Sequence, residues 1–123
     1  MDDKTRIEVE SLAHITFGFA SQSSVTHDGY VHQRDGTFEE LPPYLSSIDA
    51  AMRLTKEGWY WYVEEYSDFM EMGVEIVGRG GSLCQRVEWK DYPNHIEAWA
   101  TARTLAALKA CGIDIDKLLG LDT

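Results

Sequence analysis

Three runs of aromatic and β-branched residues, joined by very short links, constrain this chain more than any other feature. "WYWYVEEY" begins at Trp59, "MGVEIVG" at Met72 and "LCQRVEWK" at Leu83. Such residues fit a pleated, half-buried surface. A parallel crossover needs a dozen or more residues, so links this short impose an antiparallel meander. Side chains alternate across a strand, which sends Trp59, Trp61 and Val63 to one face and Tyr60, Tyr62 and Glu64 to the other. With rings on both faces, the first run is predicted to be a central strand covered on both sides. In the third run Leu83, Gln85, Val87 and Trp89 share a face, and Cys84, Arg86, Glu88 and Lys90 share the other.

Helical patterns flank the meander. The best marked begins after Pro93: Asn94 and Glu97 approximate a capping box. Ile96, Trp99, Ala100, Arg103, Ala106, Ala107 and Ala110 then recur at helical spacing, and Gly112 supplies the C-cap. The alanines allow close packing on the sheet. Upstream, "YLSSIDAAMRLTKEG" reads as a helix capped by Ser46 or Ser47, with Asp49 near its positive end and Gly58 at its close. Its inward stripe is Ile48, Ala51, Met52 and Thr55. Residues 3–17 predict a first helix with Ile7, Leu12 and Ile15 inward, although Ile15, Phe17 and Phe19 alternate as a strand would. Residues 20–44 are a variable, turn-rich region in which Asp35-Gly36 signals a hairpin between Tyr30-Val31 and Phe38. "IDIDKLLGLDT" adds a short terminal turn. The expected fold is α+β: a small antiparallel sheet, three strands plus an extra hairpin, layered with helices as an αβα sandwich in one domain, 1–123.

Composition narrows the partners. The 123 residues are 44% hydrophobic, enough for one core. A net charge of −10 repels long nucleic acid and anionic membranes. Five acids and no base lie between Glu64 and Glu75; Arg79, Arg86 and Lys90 follow. The acidic N-terminus has no apolar signal region and no run is long enough to span a membrane, so a cytoplasmic location is expected. Cys84 and Cys111 are expected to be buried, reduced thiols.

Two blocks resemble the phage ABA-sandwich domain family, small proteins of bacteriophage and prophage genomes. In "LPPYLSSIDAAMRLTKEGWYWYV", Pro43-Tyr44, Ile48, Ala50-Ala51 and Gly58-Trp59 match the family pattern, while Met52 stands where an aromatic residue is common. In "HIEAWATARTLAALKACG", Ala100, Thr101, Ala102, Leu105 and Ala106 match its closing helix. The blocks frame residues 41–112; residues 20–40 have no counterpart. The resemblance implies a phage origin and a layered αβα fold. It supplies no catalytic residue, since the family has no assigned molecular function.

The glycine-rich "GRGGS" at 78–82 decides how a ligand could be held. A phosphate loop needs a helix directly after its glycines and a lysine before the serine. Here a strand follows and the lysine is missing, so a tight turn is expected. Backbone N–H groups in such a turn can still nest an anion. Arg79, Ser82 and Arg86, with Tyr60 and Tyr62 for stacking, are the candidate ligand-binding residues. His27, Asp28, His32 and Asp35 flank a turn without metal-ligand spacing, so no metal and no cofactor are expected. His14 and His95 are read as helix-surface residues. No nucleophile–base arrangement is legible, so no enzyme is expected.

The sequence therefore points to a non-catalytic phage accessory protein that acts by binding. One form sequesters a small anionic, nucleotide-like signal as a counter-defence. The alternative is an acidic module that docks on a basic host protein as a nucleic-acid mimic. An enzyme acting on a nucleotide or similar metabolite is the third. Each is compatible with a homo-oligomer, because a short sheet has edges to cover.

Overall fold

The computed structural model describes residues 1–121; the last two residues of the terminal segment, 122 and 123, lie outside the described residues. The chain runs α1 (Asp3–Thr16), β1 (Tyr30–His32), β2 (Phe38–Glu40), α2 (Ile48–Ala51), β3 (Trp59–Glu65), β4 (Phe69–Ile76), β5 (Ser82–Glu88), α3 (His95–Ala110) and α4 (Ile115–Leu118). Strands β3-β4-β5 form an antiparallel meander, and β1-β2 form the separate hairpin around Asp35-Gly36. The α+β class is as the sequence predicts. Among the described residues no helix is long and apolar enough to cross a membrane.

Helix α3 organises the layers. Every residue from Ala100 to Leu108 is buried. On one side Ala98, Ala102 and Ala106 meet Met70, Met72 and Val87 of the sheet. On the other, Leu105, Ala107 and Leu108 meet Val9 and Ala13 of α1, Tyr44, Leu45, Ala50 and Leu54. The layers therefore run sheet, α3, then α1 with α2. The small side chains let the backbones approach, and two threonines make the polar ties: Thr101 Oγ1 donates to the Leu45 carbonyl (2.9 Å) and Thr104 Oγ1 to that of Tyr44 (2.7 Å).

Several expectations change. Strand β3 is an edge strand, not a central one, and Tyr60 is 64% exposed, because both helical layers stack on the opposite face. The helix expected to run to Gly58 is a single turn, α2. Ala50, Ala51 and Leu54 are buried, whereas Met52 is exposed. Burial of Leu54 between α1 and α3 outweighs helical propensity there. On α1 the buried residues are Val9, Glu10 and Ala13; Ile7, Leu12 and Ile15 are only half-buried. The strand-like alternation at its end is not used, since the helix continues to Thr16 and Phe19 is exposed. Ile96, expected inward, is exposed, and so is Cys84; Cys111 is half-buried. Strand β5 stops at Glu88, so Trp89 and Lys90 lie in a one-turn 3-10 segment, where the Trp89 and His95 rings stack at 4.3 Å.

Gly73 sits in the middle of β4, paired with Tyr62 and Cys84. The Tyr62 phenol lies flat across it: a Cβ at Gly73 would stand 2.1 Å from Tyr62 Cζ. Gly73→Ala is expected to cost about 1–3 kcal/mol by displacing that ring. Chemical unfolding should show most of the loss vanish in a Tyr62→Ala background; an equal loss in both backgrounds would contradict the contact.

Candidate functional site

The register defines what the open face of the sheet presents, because residues paired across antiparallel strands share a face. Moving along the strands, the rows are Tyr60–Glu75–Ser82, Tyr62–Gly73–Cys84, Glu64–Glu71–Arg86, and Phe69–Glu88. None of these lies on the α3 side. Four carboxylates stand against one guanidinium, with three aromatic rings among them.

Local contacts fix most of these side chains. Tyr62 Oη donates to Ser82 Oγ at 3.0 Å, so the ring is held over Gly73. The Arg86 guanidinium lies 3.6 Å from the Phe69 ring centroid, and Tyr66 stacks on the same ring at 4.6 Å. The Tyr66 hydroxyl donates to Glu64, and that bond raises its pKa. Glu88 pairs with Lys90 at 3.3 Å. Tyr60 makes no such contact and stands free.

The five candidate ligand-binding residues separate into two places. "GRGGS" is the β4–β5 turn, with Gly78 and Gly81 at positive φ (83° and 78°), which explains the glycines. Tyr60, Arg79 and Ser82 meet beside it, around a shallow depression of about 530 Å³ that also contains Glu75; Tyr62 joins through its bond to Ser82. Arg79 reaches across to the Ala110 carbonyl at 3.4 Å, a weak bond at the C-terminal end of α3. Arg86 is elsewhere, although the sequence grouped it with Arg79 as a candidate ligand-binding residue. It lies four residues of strand beyond Ser82, about 13 Å, because the turn is at the opposite end of β5. A carboxylate in the depression and a single nearby guanidinium weaken it as an anion site.

Sequence reasoning missed two polar clusters inside the helical side. Glu10 is 3% exposed; its carboxylate accepts from Leu45 N (3.1 Å) and from Arg6 Nη1 (3.0 Å). One helical turn on, His14 Nδ1 and Tyr44 Oη are 2.7 Å apart. Spacing of Glu10 and His14 by four residues on α1 was the available signal. Burial holds the Glu10 carboxyl above the usual range, pushes the Tyr44 phenol up to about 12 and holds the His14 imidazole below its usual value. The pair is therefore a hydrogen bond between two neutral groups, its direction set by the imidazole tautomer. The second cluster is Arg103, 6% exposed, its guanidinium 3.5 Å from the Trp61 ring centroid and 6.0 Å from that of Trp99. Its Nε has no hydrogen-bond partner, and burial lowers its pKa to about 10, so it remains charged at neutral pH.

Among the described residues no three His, Cys, Asp or Glu side chains converge as a metal site would require. In comparisons with known proteins, no family model, no curated protein and no solved structure matches the chain.

His14 makes stability depend on pH. Its folded pKa lies below the ordinary 6.5, so its contribution is present above 6.5 and lost as pH falls through the folded value. Glu10 has the opposite sign: its raised pKa gives stability at low pH that is lost as pH rises past 4.5 through the folded value. His14→Gln keeps a hydrogen-bonding partner for Tyr44 but cannot charge. Melting temperatures of the two proteins should converge, or cross in favour of the variant, on acidification from pH 7.5 to mildly acidic conditions. A constant difference would remove His14 as the titrating group.

Proposed function

We propose that this chain acts by binding, without catalysing a reaction, and that it engages a basic segment of another protein on the open face of its sheet. The observation that carries this reading is the uncovered face itself, where Tyr60, Tyr62 and Phe69 alternate with Glu64, Glu71, Glu75 and Glu88. Aromatic faces attract guanidinium and ammonium groups, and carboxylates beside them complete the ion pair. Arg86 on Phe69 is an internal instance of the contact. The net charge of −10 steers a basic partner to the surface and repels nucleic acid. The resemblance to phage proteins adds a setting: a phage-encoded binder that meets a basic host protein in the bacterial cytoplasm and blunts a defence.

Capture of a small anionic, nucleotide-like ligand is the second reading. It draws on the depression where Arg79, Ser82 and Tyr60 meet. Glu75 within that depression opposes it, which is why the protein-binding reading leads.

Arginine-bearing peptides added to isotopically labelled protein should shift the amide resonances of β3, β4 and β5. Binding should weaken about tenfold or more between low and physiological salt, as screening of exposed charge requires. Glu64→Gln with Glu71→Gln and Glu75→Gln should reduce affinity by a similar factor at low salt. Shifts confined to the helical side, or affinity indifferent to the three glutamates, would refute the reading. Tight nucleotide binding that is lost in Arg79→Ala would replace it with the second.

A further inference from the structure

We propose that the chain self-associates through the outer edge of β3, two copies of this strand pairing antiparallel so that Glu65 of the partner subunit supplies the carboxylate that Arg103 lacks. This surface is distinct from the open face and does not depend on what binds there.

The two edges of the meander are not equivalent. Val77 N donates to the Gly58 carbonyl (2.9 Å) and Tyr66 N to that of Phe69 (2.8 Å). Antiparallel bonding alternates, so the even-numbered residues of β3 bond β4 and the odd-numbered ones face outward. The N–H and C=O groups of Trp61, Val63 and Glu65 therefore line a free edge, with no hydrogen-bond partner among the described residues. On β5 the Trp89 N to Asp68 carbonyl bond (3.1 Å) sets Cys84 and Arg86 outward. That edge is occupied: Lys109 Nζ donates to the Cys84 carbonyl (3.0 Å) and Gln85 Nε2 to that of Arg86 (3.3 Å). Natural sheets protect edges with lysine, proline, bulges or covering segments. β5 has its lysine; β3 has no lysine, proline or bulge, and its only charges, Glu64 and Glu65, stand together at one end.

The second observation is Arg103. A guanidinium this buried, with one face on Trp61, an unpartnered Nε and no ion pair among the described residues, is short of an acceptor. Trp61 is also a residue whose backbone faces the free edge. Trp59, Trp61, Val63 and Glu65 share the α3 side of β3. When Val63 pairs with its counterpart, the partner subunit's Glu65 falls opposite Trp61, on the side where Arg103 lies. That register matches outward-facing residues with outward-facing residues, as the bonding pattern requires. The strand's acids are at one end, so the antiparallel arrangement holds the two Glu65 residues about 13 Å apart along the strands, whereas a parallel one would oppose them. A foreign strand offers no such reason to carry an acid at that position.

Sedimentation of the full chain over a wide concentration range tests this. Wild-type protein should form a dimer, and Val63→Lys, which places two lysines opposite one another on a partly exposed position, should abolish it without changing the circular dichroism. Glu65→Gln should weaken the dimer about tenfold, while Asp68→Asn leaves it unchanged. A monomer at every concentration, or a dimer indifferent to Val63→Lys, overturns the proposal. A dimer sensitive to Val63→Lys but indifferent to Glu65→Gln overturns the assignment of Glu65 to Arg103.

Discussion

Burial of α3 on all sides is the constraint from which the rest of the structure follows. A helix whose residues 100–108 are all buried must lie between other elements. The sheet covers one flank, and α1, α2 and the segment around Tyr44 cover the other. Alanine dominates because close neighbours on both flanks leave little room for long side chains along most of the buried stretch. Thr101 and Thr104 are tolerated because each finds a backbone carbonyl on the 44–45 segment.

Placing α3 centrally uses the helical cover on one side of the sheet. The face left open is managed locally rather than by another layer. Tyr62 lies down over Gly73, and Phe69 is shielded by Arg86 and Tyr66. Long polar side chains that cover rings in this way keep their charge in water while their stems lie on apolar surface. Tyr60 is the exception, which makes it the most accessible ring on that face.

The meander, the hairpin and α3 were legible because their signals are local: alternation, an Asp-Gly turn, a cap and a helical repeat. The boundaries of α1 were legible for the same reason. Layer order was not. The rings of β3 look equally suited to burial on both faces, and only the all-round burial of α3 decides which face is covered. The length of α2 depended on where Leu54 is buried, a tertiary choice. The candidate site was legible in part. Tyr60, Tyr62, Ser82 and Arg79 do gather, since strand alternation and the turn dictate it. Arg86 does not join them, because reach along a strand depends on register, and the register was not fixed by the pattern alone. Glu10 was passed over because a stripe pattern registers apolar residues; Arg103 was placed on the helical repeat, but spacing alone does not mark it as a buried charge against Trp61.

Strand β3 can serve both proposed surfaces because they use different atoms. Outward backbone groups of Trp61, Val63 and Glu65 form the edge; side chains of Tyr60, Tyr62 and Glu64 form part of the open face. Pairing at the edge joins the two three-stranded sheets into one, so the open faces of the two copies become continuous. The acids of that face then double in number while staying spread over separate strand ends. A binder of basic segments gains reach from this arrangement, and two weak contacts on a rigid platform act together more strongly than either alone. The same pairing also covers the free β3 edge of the meander, through which such an exposed, ring-rich strand would otherwise aggregate.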